Sequence, residues 1–327
     1  MGAGRPGQAA SGPLHKIPDD PDAIAAAPRL KRLSIYVTLT VATALALAKF
    51  GGWILTDSMA LLAAAIDALV DAGASIVTLL GVTYAQKPPD RDHRFGHGKG
   101  EAVAAFTQAT FLAGAAATLA FQAVGRLFSP VPVESVAIGV WVIVLSLVAA
   151  AGLVALQTYV VRKTGSTAIK ADRAHYATDI AFNAAVLAAL AVTEWTGWVR
   201  ADPVFALGIA GYMLWSAYGI VDEALEQLLD RELPPEERRR IKEAVRACPG
   251  VRDIHDLRTR FSGDRTFVEY HLEVDPRMNV VEGHAIGDAT ESAVQALLPG
   301  AVEATAHVEP HGIEDERLDD AVAQSPR

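Results

Sequence analysis

Two pairs of side chains able to hold a cation stand four residues apart in segments otherwise built to be apolar. Asp67 and Asp71 lie in Ile66-Asp67-Ala68-Leu69-Val70-Asp71, inside the apolar stretch 59–82. His175 and Asp179 repeat that spacing at the opening of the apolar run that ends near Val192. Positions i and i+4 of a helix share a face, so each segment offers two ligands from one side. The first stretch matches the roughly 20 residues a membrane helix needs. A carboxylate at that depth is costly and usually marks an ion or proton pathway. A buried ion-pair network does not account for these groups, because no Lys or Arg lies deep in the spans to balance Asp67, Asp71 and Asp179. The counter-charge then falls to a cation or to protons. One imidazole and three carboxylates from two facing helices suit a tetrahedral divalent site, zinc foremost.

Two further clusters lie outside the apolar stretches. His255, His271, His284 and His307 fall in one short polar region, with Glu309 two residues beyond His307. Residues i and i+2 of a strand share a face, so His307 and Glu309 would act together, and four histidines in so short a domain suggest a second metal site. Asp90, His93 and His97 sit in the charged loop Asp90-Arg91-Asp92-His93-Arg94-Phe95-Gly96-His97-Gly98-Lys99. Spacing alone favours a solvated loop there over a third site.

The elements that must position these groups follow from hydropathy. Helices are expected at about 33–55, 59–84, 101–128, 136–161, 175–197 and 203–226, each near the length of a membrane span. Basic residues gather on one side: Arg29, Lys31 and Arg32 before the first span, Lys87, Arg91, Arg94 and Lys99 after the second, and Arg162, Lys163, Lys170 and Arg173 after the fourth. The other side offers little more than Arg126 and Arg200, so both termini are expected in the cytoplasm. Small residues crowd the third span around Gly114 and the sixth at Gly208 and Gly211, which allows close helix approach. Lys49 reads as a snorkelling side chain, Asn183 as a helix–helix hydrogen bond in preference to a support behind the metal ligands, and Gln108, Gln122 and Glu194 as packing or interface residues.

Beyond Asp230 the composition changes. Pro234-Pro235-Glu236-Glu237 opens a helix that runs to about 247 and ends at Pro249-Gly250. Strand-like runs follow at 251–261 and 266–274, then a helix at 280–298 and a strand at 301–308. The fold class is thus an α-helical membrane protein with six transmembrane helices and a small cytoplasmic α+β domain of α-β-β-α-β order. The expected divisions are a disordered tail over 1–28, the transport helices over 29–230, the cytoplasmic domain over 231–312 and a disordered acidic tail over 313–327.

Composition narrows the function classes. Half the chain is apolar, at 51%, which suits a membrane protein carrying a soluble part. A net charge of −9 argues against nucleic acid as a partner. Cys248 is the one cysteine, so no disulfide framework exists.

Together these motifs carry a family likeness over about residues 30–312. The chain resembles the cation diffusion facilitators, divalent-metal/proton antiporters, and most closely their bacterial ferrous-iron/zinc efflux type. The likeness rests on Ser58-Met59-Ala60 leading into Asp67-Ala68-Leu69-Val70-Asp71, on Phe95-Gly96-His97-Gly98-Lys99, and on Ala171-Asp172-Arg173-Ala174-His175-Tyr176-Ala177-Thr178-Asp179. Leu228-Leu229-Asp230-Arg231 and His255-Asp256-Leu257-Arg258-Thr259-Arg260 extend it. The resemblance implies a transport site of Asp67, Asp71, His175 and Asp179, and a loop site of Asp90, His93 and His97. It also implies a metallochaperone-like cytoplasmic domain whose dimer contact holds a binuclear site of His255, His271, His284 and His307 with Glu309. It further implies a charge interlock of Lys99 with Asp230 that locks a homodimer, and a place in the bacterial inner membrane. Glu309 stands where close relatives usually have Asp, and Val308 replaces a polar residue, so coordination in the cytoplasmic site is expected to differ. The implied substrate is Zn2+, with Cd2+ and Fe2+ as alternatives, expelled against an inward flow of protons. An uncoupled metal channel or sensor would use the same ligands without proton counterflow. A metal-dependent intramembrane hydrolase would need an open metal position and a general base, and no His-Glu-x-x-His occurs in the chain.

Overall fold

The computed structural model describes residues 21–56, 59–128, 137–198, 200–312 and 317–323. Two compact units emerge, Ala25–Leu225 and Glu226–Arg327.

The first unit is built from long helices: α1 (Pro21–Thr56), α2 (Met59–Ala85), α3 (Gly100–Phe128), α4 (Ala137–Thr164), α5 (Thr167–Thr196) and α6 (Ala201–Leu228). Among the described residues, four of them, α1, α3, α4 and α6, are long and apolar enough to cross a membrane. The apolar character of α5 is diluted by His175, Asp179 and Asn183. Large apolar side chains such as Leu80, Phe111, Phe121 and Trp215 point outward, the arrangement a bundle takes when its solvent is lipid. The interior is narrow and rich in alanine. Ala105, Ala109, Leu112 and Ala116 of α3 pack on Met213, Ala217 and Ile220 of α6. Ile35, Val82, Ala104, Val160 and Ile169 join α1 through α5 in a second cluster.

Two helix starts differ from the sequence expectation. α1 begins at Pro21, within the segment 1–28 expected to be disordered, and carries Pro28 inside it; proline suits a first helical position because its missing N–H has no intrahelical partner there. Residues 1–20 lie outside the described residues. α5 begins at Thr167 and not near 175, so His175 and Asp179 sit well inside it. Ser166 caps α5, its Oγ accepting from the Ile169 N–H at 3.4 Å and donating to Glu101 Oε2 at 2.5 Å. Glu101 in turn pairs with Lys31 at 2.6 Å, and both are buried. This knot joins α1, α3 and α5.

The second unit is a two-layer α+β domain: α7 (Pro235–Arg246), β1 (Asp253–Ser262), β2 (Arg265–Val274), α8 (Val280–Leu297) and β3 (Ala301–Pro310). The sheet order is β1-β2-β3, with β1 and β2 antiparallel and β2 and β3 parallel. Ile254, Val268, Tyr270, Leu272 and Ala304 form one face of the sheet and pack with Ile241, Val245 and Val294 of the two helices. α8 starts on a capping box, Asn279 and Glu282 exchanging side-chain-to-backbone hydrogen bonds. Within the acidic tail expected to be disordered, a further helix α9 (Leu318–Ala323) forms and contacts β1.

One close approach sets the spacing of α2 and α3. A Cβ on Gly81 would stand 2.3 Å from the Ala104 Cβ, closer than two carbons can come. Gly81→Leu is expected to force the two helices apart, an overpacking cost of about 1–3 kcal/mol. A lowered melting temperature of the purified protein in detergent checks this; an unchanged one would mean that the helices do not depend on the contact.

Candidate functional site

α2 and α5 face each other, and their polar positions meet. His175 Nε2 lies 2.9 Å from Asp71 Oδ1 and 3.9 Å from Asp179 Oδ2. Ligand atoms of Asp71, His175 and Asp179 all fall within 4.8 Å of one another. Around a tetrahedral zinc with bonds near 2.1 Å, ligand atoms stand about 3.4 Å apart, so these spacings bracket what a cation would draw them to. Asp67 lies one turn before Asp71 on α2; its side chain is outside the described residues.

The helices carrying these ligands are fixed by a polar network one turn away. Asp172, three residues before His175, is buried, and its carboxylate accepts from two glutamine amides. Gln157 Nε2 of α4 donates to Oδ2 at 2.7 Å and reaches Thr38 Oγ1 of α1 at 3.2 Å. Gln108 Nε2 of α3 donates to Asp172 Oδ1 at 3.2 Å and to Thr78 Oγ1 and Ala74 O of α2 at 2.8 and 3.0 Å. A second clasp joins α2 to α5, Ser75 Oγ and Tyr176 Oη meeting at 3.2 Å. Ser75 is one turn beyond Asp71, and Tyr176 follows His175. Sequence reading placed Gln108 as a packing residue and missed Asp172 and Gln157. The available signal was the i, i+3 spacing of Asp172 and His175, hidden by placing the start of α5 too late. Asn183 hydrogen-bonds within its own helix, Nδ2 donating to Asp179 O at 2.8 Å, and among the described residues no bond across helices accompanies it.

The loop between α2 and α3 does gather its three residues. His93 Nδ1 and His97 Nε2 each lie 3.3 Å from an Asp90 oxygen, and the two imidazoles lie 4.5 Å apart between centroids, tilted by 44°. His97 is buried against the edge of Tyr84, while Asp90 and His93 are exposed. The His93 and Asp92 backbone N–H groups donate to Asp90 Oδ1 at 2.7 and 3.0 Å. The His93 backbone hydrogen bond, first among these contacts, holds the Asp90 carboxyl below its usual range.

In the second unit, register assembles what spacing could not. His255 pairs with His271 across β1 and β2, and His271 with His307 across β2 and β3, so three histidines form one row. Successive rings stand 5.1 and 4.8 Å apart. Glu273 and Glu309 form the next row on the same face, two residues along. Glu309 lies 3.0 Å from His255 Nε2 and 3.2 Å from His271 Nδ1. His284 is not brought to this row: it stands exposed on α8, 3.6 Å from Asp288 one turn on, because α8 packs on the opposite face of the sheet. It does border, with Glu309 and Val308, a groove between α8 and β3. Asp230 approaches Arg260 at 3.6 Å within this unit, and Lys99 stands just before α3 in the other.

Comparison with known proteins places these clusters in context. A model of the cation efflux transmembrane domain matches residues 35–229, and one of the cation efflux protein cytoplasmic domain matches residues 233–311. The cation-efflux pump FieF of Klebsiella pneumoniae is 42% identical over 285 residues, covering 87% of this chain and 94% of its own. FieF of Escherichia coli is 43% identical over 272 residues, covering 83% and 90%. A zinc form of the transporter CzrB is 41% identical, covering 27% of this chain and 99% of that one, with a TM-score of 0.24.

Asp172→Ala would remove the acceptor that Gln108 and Gln157 share and leave Gln157 Nε2 with Thr38 as its remaining partner among the described residues, at about 1–3 kcal/mol for a buried donor left unsatisfied. The variant is expected to melt earlier in detergent and to bind metal more weakly although no ligand has changed. Isothermal titration beside thermal unfolding checks both, and wild-type behaviour in the two would remove Asp172 from the support of the site.

Proposed function

The chain belongs to the cation efflux family, whose members are membrane transporters and not enzymes, and we propose on that footing that it exports Zn2+ from the cytoplasm in exchange for protons. Cd2+ and Fe2+ are the alternative substrates. The observation that carries this reading is the meeting of Asp71, His175 and Asp179 from two helices within a long-helix bundle. Asp67, on the same helix face as Asp71, is taken as the fourth ligand.

The chemistry of exchange follows from that donor set. Carboxylate and imidazole must give up protons before they hold a cation, so metal and protons compete for the same atoms. A site that opens alternately to each side of the membrane would load metal where it is plentiful and protons where they are plentiful. The inward proton gradient then expels metal. Side-chain exposures of 28% for Asp71, 16% for His175 and 35% for Asp179 are those of partly buried groups. One imidazole among carboxylates favours borderline-soft Zn2+ over harder ions such as Mn2+.

The remaining clusters take supporting parts in this reading. Asp90, His93 and His97 would hold a cation at the cytoplasmic loop and modulate the rate. His255, His271, His307 and Glu309 would hold metal in the cytoplasmic domain, whose family description implies dimerisation, and His284 would reach a site at the contact between two copies. The exposed valines 280 and 281, at the start of α8, suit such a contact. Lys99 and Asp230 would interlock near the membrane surface, with both termini in the cytoplasm.

His175→Asp replaces the one nitrogen ligand with a carboxylate. It is expected to narrow the preference for Zn2+ over Mn2+ and to move the pH dependence of transport to lower pH, because a carboxylate holds its proton less tightly than an imidazole. Asp71→Ala is expected to abolish transport of every metal. Stopped-flow metal flux with an internal pH dye, in proteoliposomes, reads both variants and the proton counterflow. Wild-type selectivity in His175→Asp would dismiss its assigned role, and metal flux without proton movement would favour an uncoupled channel.

A further inference from the structure

Glu273 is out of place by ordinary rules. It lies on the face of the sheet away from α7 and α8, yet its side chain is 4% exposed. Its cover is the end of the chain. Arg317 Nη2 donates to Glu273 Oε1 at 2.6 Å, and His311 Nδ1 contacts Oε2. The same Oε1 stands 3.2 Å from Nδ1 of buried His255. That nitrogen has no aligned hydrogen-bond partner, although the other ring nitrogen faces Glu309. One carboxylate thus touches both the histidine row and the C-terminal segment.

The segment has a second fastening beside the same histidine. Asp256, in a bulge of β1 with φ of 50°, accepts from the Leu318 and Asp319 backbone N–H groups at 2.9 Å each. Asp319 returns the bond, its Oδ2 accepting from the Asp256 N–H at 3.2 Å. A left-handed conformation is uncommon for a residue other than Gly or Asn, and here it aims the carboxylate at the first turn of α9.

We propose that Glu273 is a positioning residue that couples metal binding at the histidine row to docking of the segment Arg317–Ala323. The coupling rests on the reading of the row as a metal site. Metal at His255 Nε2 leaves the ring proton on Nδ1, where Glu273 is the acceptor within reach, the arrangement in which a carboxylate orients a metal-bound imidazole. Arg317 holds that carboxylate in place only while the segment is docked. Docking therefore pre-orders His255 for metal, and metal steadies the anchor that docking needs. Linkage requires the effect to be equal in both directions.

The test is hydrogen–deuterium exchange on the full-length protein titrated with Zn2+, followed separately in peptides holding His255 and His271 and in those holding Leu318 and Asp319. Zn2+ is expected to slow exchange in both sets with one midpoint. Glu273→Gln and Arg317→Ala should each raise the midpoint at the strands about tenfold, the scale of losing a carboxylate behind a metal-bound histidine, and erase the response at Leu318 and Asp319. Arg317→Lys, which keeps the charge, should restore part of it. Protection of the strands with an unmoved C-terminal segment, or unchanged midpoints in both variants, would overturn the coupling and leave the metal site standing. No protection in either set would overturn the coupling together with the reading of the row as a metal site.

Discussion

A carboxylate inside a helix bundle has to be compensated where it stands, and the membrane unit is arranged around that requirement at Asp172. Its two oxygens take one amide each from Gln108 and Gln157, and those amides reach on to Thr38, Ala74 and Thr78. One side chain of α5 is thereby tied to α1, α2, α3 and α4. The amides are neutral, so the knot resists separation without adding a fixed positive charge beside Asp71, His175 and Asp179. A lysine or arginine in that position would satisfy Asp172 but repel a divalent ion one turn away. The second buried knot, Lys31 with Glu101 and Ser166, does use a cation, and it joins other parts of the same helices through the cap of α5.

The cytoplasmic unit solves a different problem with register. Its histidines are far apart in the chain, and each pair of strands must align to the residue for His255, His271 and His307 to share a row. The apolar alternation that buries Ile254, Tyr270 and Leu272 against the helices is what enforces the alignment. A slip of one residue would send the histidines into the core and the core residues to the surface. Packing on one face thus sets the ligand geometry on the other.

Much of this was legible from local pattern. The long helices follow from hydropathy, and the pairing of Asp71 with His175 from helical spacing and the cost of a buried charge. The α-β-β-α-β order follows from turn residues and alternation. What local pattern could not carry was non-local. The segment around Lys170, Asp172 and Arg173 reads as a charged loop because composition says nothing of the glutamines that wait for Asp172 on other helices. The histidine row needs strand register, and so does the separation of His284 from it. The C-terminal segment reads as a disordered acidic tail because its stabilising partners, Asp256 and Glu273, lie about fifty residues earlier in the chain. Asn183 and Gln108 were both polar groups in apolar runs. One bonds to its own helix and the other to two neighbours, a difference that depends on which face each presents.

The two ligand clusters also differ in a way that bears on their use. Exposure does not divide them: the side chains of Asp71, His175 and Asp179 lie between 16% and 35%, while in the histidine row His255 is at 5%, His271 at 26% and Glu309 at 18%, and His307 is exposed. A cation that must be released needs ligands that water and protons can reach, since exchange proceeds by their stepwise replacement. A cation that holds structure together gains from a closed site with a supporting carboxylate behind the imidazole. The donor types do divide them. The proposed membrane site is dominated by carboxylates, which as ligands trade metal for protons readily, and the cytoplasmic row by imidazoles, which as ligands hold zinc more firmly. Under the proposed reading, ligand chemistry therefore separates a site suited to turnover from one suited to retention, within a single chain.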